Sequence, residues 1–325
     1  MPLPGAFVTA TLDSQPLSNS PSVVVLAGGT GGAKLARGML DVVGGDRLTV
    51  IANTGDDIEI YGAHVSPDPD LVSFWLADRI DARGWGLDGD TFHVMDALRD
   101  LGEEIWFNLG DRDLAMGIQR AGVISAGGRL TEAHIALTAR LGLEARVLPM
   151  SDQPVRTRVL TDGHWWPLQE FLIQARGRGE ISDVLFAGAD AASATPEVLA
   201  AIQAADVIVV GPSNPVISIG PILAIKELRA ALDASPAPVV AVSPLVGGQV
   251  LKGPTAAFLR WAGVSASAAG VAELYGELIE GIISDEKVSG SPSLTTNVLM
   301  DTAQQRRQLA RQTLDFAASL TDRPA

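Results

Sequence analysis

The stretch SVVVLAGGTGGAKLARGML, Ser22 to Leu40, passes from an apolar run through a glycine-dense turn to a lysine at the head of an amphipathic segment. Glycines placed there let backbone N–H groups approach an anion, and the N-terminus of the following helix adds positive partial charge. Phosphate is the ligand such a turn suits, with Gly28, Gly29, Thr30, Gly31, Gly32 and Lys34 as its candidate contacts. The motif departs from both familiar phosphate loops: a dinucleotide fingerprint needs glycine where Lys34 stands, and a P-loop needs glycine at Ala33 and Ser or Thr at Leu35. A turn whose glycines serve only to pack strand against helix is the plainer alternative.

Acidic residues follow. NTGDDIEIYGAHVSPDPD supplies Asp56, Asp57, Asp68 and Asp70 after a second apolar run. Mg²⁺ uses one or two carboxylates together with phosphate oxygens and water, so Asp56 and Asp57 are candidate ligands. Asp68 or Asp70 in a proline-rich loop can instead cap a helix. In ARGWGLDGDTFHVMDAL, Trp85 stands between Gly84 and Gly86, beside a planar ligand or in a core, and Asp90 precedes a helix starting near Thr91, where an N-cap is the simplest role. His93 reads as packed or solvated. NLGDRDLAMGIQR sets Asp111, Arg112 and Asp113 in a row, and Arg112 either pairs with its neighbours or grips a phosphate or carboxylate. In VVGPSNPVISIGPIL, Ser213 and Asn214 form a second candidate nucleotide-contacting loop or close a rigid turn between prolines. SPLVGGQVLKGPT adds Lys252 and a further glycine-rich turn.

These loops need a scaffold. The 325 residues are 47% hydrophobic and 19% charged, and the apolar runs fall far short of the roughly 18 residues that suggest a membrane span. Cysteine is absent, which removes disulfides, thiolate nucleophiles and iron–sulfur ligands together. The formal charge of -14 opposes broad nucleic-acid binding, so a phosphorylated ligand has to rely on local donors or a metal. The first Lys or Arg is Lys34, so the start of the chain lacks the charge of a secretory signal, and a cytoplasmic location is the simplest expectation.

Short β-branched runs at 23–27, 48–52, 104–109, 183–188, 206–211 and 238–243 read as buried parallel strands. Helical spacing recurs at 33–43, 91–101, 131–141, 196–204 and 219–232. The expected architecture is a doubly wound, mainly parallel Rossmann-like α/β sheet with an inserted helical and irregular lobe, its ligands at the carboxyl edge of the strands. Residues 1–20 read as a flexible tail, 21–283 as the main domain with an insertion at about 60–175, and 284–325 as a mobile polar loop with a C-terminal helix.

In order along the chain, GGTGGAKL, NTGDD, VSPD, RGWG, GDT, LGDRDLA, LTEA, LPMSD, GPSNPVISIGPIL, VAVSPLVGG, KGP and GVAELY together resemble the 2-phospho-L-lactate transferase family of coenzyme F420 biosynthesis. The resemblance implies transfer of a phospholactyl-type group, lactyl, enolpyruvyl or glyceryl, from a guanosine diphospho-ester to the ribityl hydroxyl of the deazaflavin Fo, with release of GMP and help from Mg²⁺. It implies that Gly28 to Gly32 and Lys34 cradle the diphosphate, that Ser213 and Asn214 lie on the guanosine side, and that Asp56 binds metal. Trp85, Asp90, Thr91, Asp111, Arg112 and Asp113 would shape the Fo side within the insertion, and a homodimer would be the assembly. In-line attack on phosphorus needs positioning and charge neutralisation more than a covalent nucleophile, and Asp56 or Asp70 is the candidate for the hydroxyl proton.

The sequence also departs from the family pattern. Met116 and Gly117 stand where relatives usually carry Thr-His, and Pro69 and Leu71 flank the second aspartate of the VSPD segment in place of Leu and Thr. Two other readings remain open at this stage: a nucleotide-sugar-binding regulator without turnover, and a dinucleotide-dependent oxidoreductase, which Lys34 disfavours.

Overall fold

The computed structural model describes residues 20–250 and 253–321. The proposed tail, save Ser20, and Lys252 lie outside the described residues. Strand β1 (Val23–Ala27) runs through the glycine turn into helix α1 (Gly29–Val43), and β2 (Leu48–Ala52) follows. A hairpin of β3 (Ile58–Ile60) and β4 (Ala63–Val65) opens an excursion carrying α2 (Pro67–Leu76), α3 (His93–Asp100), α4 (Asp111–Ser125) and α5 (Leu130–Arg140). After β5 (Arg146–Pro149), an antiparallel sheet forms from β6 (Arg156–Thr161), β7 (His164–Pro167) and β8 (Ile181–Ala187), with α6 (Leu168–Ile173) following β7. Next come α7 (Pro196–Gln203), β9 (Val207–Val210), α8 (Gly220–Ala224), α9 (Lys226–Asp233) and β10 (Val239–Val242). A short hairpin of β11 (Leu245–Val246) and β12 (Gln249–Val250) precedes α10 (Thr255–Trp261) and α11 (Ala268–Tyr275). Strands β13 (Gly281–Ser284) and β14 (Ser293–Thr295) and helix α12 (Ala303–Thr321) end the described chain.

The central sheet has seven strands in the order β14-β13-β10-β9-β1-β2-β5, and every pairing is parallel. β1 is an interior strand between β9 and β2, with Val25 opposite Val50 on one side and Val209 on the other. Residues alternate between faces along a strand, so β1 feeds two cores: Val24 and Leu26 pack with α7, α9 and α11, while Val23, Val25 and Ala27 pack with α1, α2 and α12. The chain moves from β1 to β2 on one side and returns through β9 on the other. The crevice between the ends of β1 and β9 is therefore a topological switch point, where open α/β sheets collect ligands.

Two of the expected parallel strands lie elsewhere. Residues 104–109 form a loop between α3 and α4, because the sheet edge beside β2 is taken by β5. The run at 183–188 belongs to β8 of the antiparallel sheet, with Asp183 and Leu185 exposed, and a central parallel strand covered on both faces leaves no room for such a pattern. The insertion is split in two by β5, which returns to the sheet at 146–149. The polar stretch after Ser284 contains β14, the outermost central strand, instead of running free to the last helix.

Leu26 is wholly buried on β1, an interior strand of this sheet. Leu26→Ala is expected to lower the unfolding free energy by about 2–5 kcal/mol, measured by urea denaturation, with the larger values if the neighbouring side chains do not close the cavity.

Candidate functional site

The glycine turn and the loop after β9 interlock at the switch point. Gly28 N–H donates to Ser213 Oγ at 3.1 Å, and Gly211 N–H extends the ladder to the Leu26 carbonyl at 2.9 Å. A Cβ at Gly31 would overlap the Pro212 carbonyl, so this contact requires glycine. Close packing thus accounts for part of the motif. Of the first-turn donors of α1, Gly28 is held by Ser213 and Gly29 by the Asp68 carboxylate. Thr30 and Gly31 N–H have no acceptor among the described residues, and both positions are partly open to solvent. Two backbone donors at a helix N-terminus remain for an anion.

Lys34 stands one turn further along α1. Its ammonium pairs with Asp301 at 3.2 Å and lies 5.9 Å from the centre of the Trp75 ring, towards the segment leading into α12. Ser213 and Asn214 both have structural partners: Asn214 Oδ1 accepts from Val216 and Ile217 N–H at 3.0 and 3.2 Å, and its amide donates to Thr255 Oγ1.

Beside the glycine turn lies the acidic turn after β2. Asn53 Nδ2 donates to Asp68 Oδ2 at 2.9 Å and to Asp56 Oδ1 at 3.4 Å, and Gln169 of α6 holds Asp56 Oδ2 at 3.0 Å. Burial raises the pKa of Asp56 well above the usual carboxylate range, and the charges of Asp68 and Asp57 reinforce the rise. Burial also pushes Asp68 up to about 6, against the hydrogen bonds from Asn53 and Gly29. The carboxylate that accompanies Asp56 at the turn is thus Asp68, a first-turn residue of α2 whose helix-capping position hides it in the sequence. Asp57 faces away: its oxygens accept from Ser66 Oγ at 2.7 Å and meet His64 Nε2 at 2.9 Å.

Further pairs balance this buried charge. His64 also contacts Glu59 through Nδ1 at 3.3 Å. Burial alone would lower the His64 pKa, but the hydrogen bonds to Asp57 and Glu59 outweigh it and raise it to about 9, so the ring is cationic at neutrality. Asp70 is locked to Arg120, a wholly buried residue of α4 that also donates to the His64 carbonyl at 2.8 Å. Arg120 gave no functional signal in the sequence, although its spacing from Leu114 and Gly117 marks the inner face of an amphipathic helix. His134 sits 3.9 Å from Asp70, and its burial, with Arg120 nearby, depresses its pKa to about 3.

Asp90 and Asp111 cap one another's helices. Asp90 accepts from Arg112 and Asp113 N–H at 2.9 and 3.2 Å at the start of α4. Asp111 accepts from Thr91 Oγ1, His93 N–H and Val94 N–H, at 2.6, 3.0 and 2.9 Å, at the start of α3. A Cβ at Gly110 would overlap Asp90. Asp90 is therefore a cap, as its position before a helix suggests, but for the other helix. Asp111, the last member of LGD, follows loop rather than strand. Arg112 is exposed and its guanidinium has no ion pair among the described residues, and Trp85 is 68% exposed at the tip of a turn tied down by Asp81. A cleft of about 450 Å³ opens beside Asp56, lined by Gly55, Trp106, Arg156, Arg158 and Gln169 among others. The buried hydroxyls of Thr54 and Thr157 near it find no protein partner.

This arrangement defines a doubly wound α/β protein that presents a turn with free backbone donors and two carboxylates at its switch point. Residues 23–316 match the family model of 2-phospho-L-lactate transferase CofD, and the chain belongs to that family. It is 37% identical over 266 residues to the 2-phospho-L-lactate transferase of Methanosarcina mazei, covering 82% of this chain and 87% of the relative. It is 42% identical over 271 residues to the phosphoenolpyruvate transferase of Kitasatospora aureofaciens, covering 81% and 84%. In structure it resembles a Bacillus halodurans protein of the upf0052 family, with TM-score 0.59 and 17% identity over 91% of this chain and 100% of that one, a likeness of fold. The chain is accordingly a transferase enzyme of coenzyme F420 biosynthesis, and the readings as a regulator without turnover or an oxidoreductase fall away.

Asp90→Ala, which strips the cap from α4, is expected to cost about 1–2 kcal/mol in chemical denaturation. His64 is the pH-sensitive tie. Because its folded pKa of about 9 exceeds its unfolded value of about 6.5, its contribution is complete below pH 6.5 and is lost as pH rises through about 9. The stability gap between wild type and His64→Gln should therefore narrow across that window when melting temperatures are compared.

Proposed function

We propose that this enzyme moves a phospholactyl-type group, lactyl, enolpyruvyl or glyceryl, from a guanosine diphospho-ester to the terminal ribityl hydroxyl of Fo and releases GMP. The observation that carries the reading is the pair of free N–H donors at Thr30 and Gly31 beside Asp56 and Asp68, a place for a diphosphate with a cation against it. The loop at Ser213 and Asn214 borders the nucleotide side, and Lys34 reaches the diphosphate by leaving Asp301. Trp85, Arg112 and the cleft with Trp106 serve the acceptor side. The assembly proposed is a homodimer.

Mg²⁺ fits the residues present. Asp56 and Asp68 supply the one or two carboxylates that Mg²⁺ takes when phosphate oxygens and water complete its shell, and among the described residues no three His, Cys, Asp or Glu side chains form a closed cage for it. Asp56 and Asp68, not Asp56 and Asp57, are the proposed ligands. Bound there, the ion would neutralise charge on the diphosphate and the departing GMP. The protein's own part is to orient the diphosphate through Thr30 and Gly31, to hold both carboxylates through Asn53, and to keep the site poor in water.

The test is incubation of the purified enzyme with Fo, Mg²⁺ and the guanosine diphospho-esters of lactate, enolpyruvate and glycerate, with GMP and the coupled product followed by mass spectrometry. Product from one ester establishes the reaction and names the acid. Failure with all three, while a family enzyme works in parallel, overturns the reading. Asp56→Asn and Asp68→Asn are each expected to reduce kcat/KM by about 10²-fold or more, the scale of losing one preorganised charge contact in a transition state.

A further inference from the structure

Besides Asp96, which pairs with Arg99 on α3, seven aspartates crowd the acidic turn and the heads of α2, α3 and α4, and six are held by specific donors. Asp56 is held by Asn53 and Gln169, Asp57 by Ser66 and His64, Asp68 by Gly29 and Asn53, and Asp70 by Arg120. Asp90 and Asp111 serve as the reciprocal caps. Asp113 differs from all of them. Its backbone N–H is tied to Asp90, so the residue is fixed at the head of α4, yet its carboxylate receives no hydrogen bond from any described residue.

Its place on the helix sets its direction. Asp113, Gly117 and Arg120 are spaced i, i+4 and i+7, so they share one face of α4, and Gly117 on that face packs against Ala63 and His64 of β4. Asp113 is thus at the open end of a face whose inner end, Arg120, is sealed against Asp70. It is only partly buried, whereas Asp70 is almost wholly so.

We infer that Asp113 is the general base of the transfer, accepting the proton of the acceptor hydroxyl. The inference rests on the transferase reading above and refines it. In the step, the acceptor oxygen bonds to the phosphorus that carries the three-carbon acid. The bond from that phosphorus to the bridging oxygen breaks, GMP leaves with the electron pair, and the hydroxyl proton passes to Asp113 and then to water. Asp70 is unsuited to this role because the Arg120 guanidinium already occupies it. The charged groups facing Asp113 are Asp70 from α2, Asp90 from the preceding loop and Arg120 from its own helix. Burial first, and then the Asp70 charge, push its pKa up to about 7 against the pull of Arg120, which matches a base working near neutrality.

The experiment is a pH profile of kcat for wild type, Asp113→Asn and Asp113→Glu, with folding checked by circular dichroism. The wild type should gain rate as pH rises through about 7. Asp113→Asn should lose roughly 10²-fold or more in kcat with KM for the donor little changed, and should lose that limb of the profile. If Asp113→Asn does not fold, Asp113→Glu decides: a reduced kcat with a displaced limb supports the assignment, and an unaltered profile overturns it. A working wild type beside an unimpaired Asp113→Asn overturns this assignment alone. A wild type that forms no product overturns the transferase reading and this assignment with it.

Discussion

Removing a carboxylate from water is costly unless donors or cations accompany it, and the site is organised around that constraint. Asp56, Asp57, Asp68 and Asp70 are all buried. Two cations stand among them, Arg120 and the protonated His64, and these attend to Asp57 and Asp70 at the back of the group. Asp56 and Asp68, nearest the glycine turn, have only amide donors and one backbone N–H. The two carboxylates without an ion pair are therefore those nearest the glycine turn, and burial raises the pKa of both.

The sheet makes this arrangement possible. The chain leaves β1 for α1 on one face of the sheet and leaves β9 for α8 and α9 on the other, which opens a crevice between the two turns. The crevice is narrowed at Gly31, where the Pro212 carbonyl leaves no room for a side chain. Asp68 reaches the same place from α2, which packs along α1, and its bond to Gly29 ties the helix bearing the carboxylates to the turn bearing the donors. The free backbone donors and the two carboxylates thus belong to one tied unit.

Much of this was legible in the sequence, for identifiable reasons. β1, β2, β9 and β10 are covered on both faces, so each appears as an unbroken β-branched run. The turns that follow them carry glycine, proline and short polar residues that mark them as loops. What stayed hidden depended on partners distant in the chain. Residues 104–109 have strand composition, but the place beside β2 is taken by β5. β13 and β14 lie in and beside a polar stretch whose pairing is not local. Asp57 and Asp68 are near neighbours in an acidic segment, and only the fold of the β3–β4 hairpin, which swings His64 onto Asp57, decides which carboxylate joins Asp56. Arg120 lies 50 positions from the aspartate it neutralises.

The crossed caps at Asp90 and Asp111 bear on how this lobe holds together. Each helix begins only if the other is already in place, since the acceptor for its first N–H groups belongs to its partner's threshold. Helices of this length are marginal alone in water, and neither α3 nor α4 carries its own side-chain cap. The pair therefore behaves as a single opening unit, and backbone amides in both should exchange with solvent together, not one helix at a time.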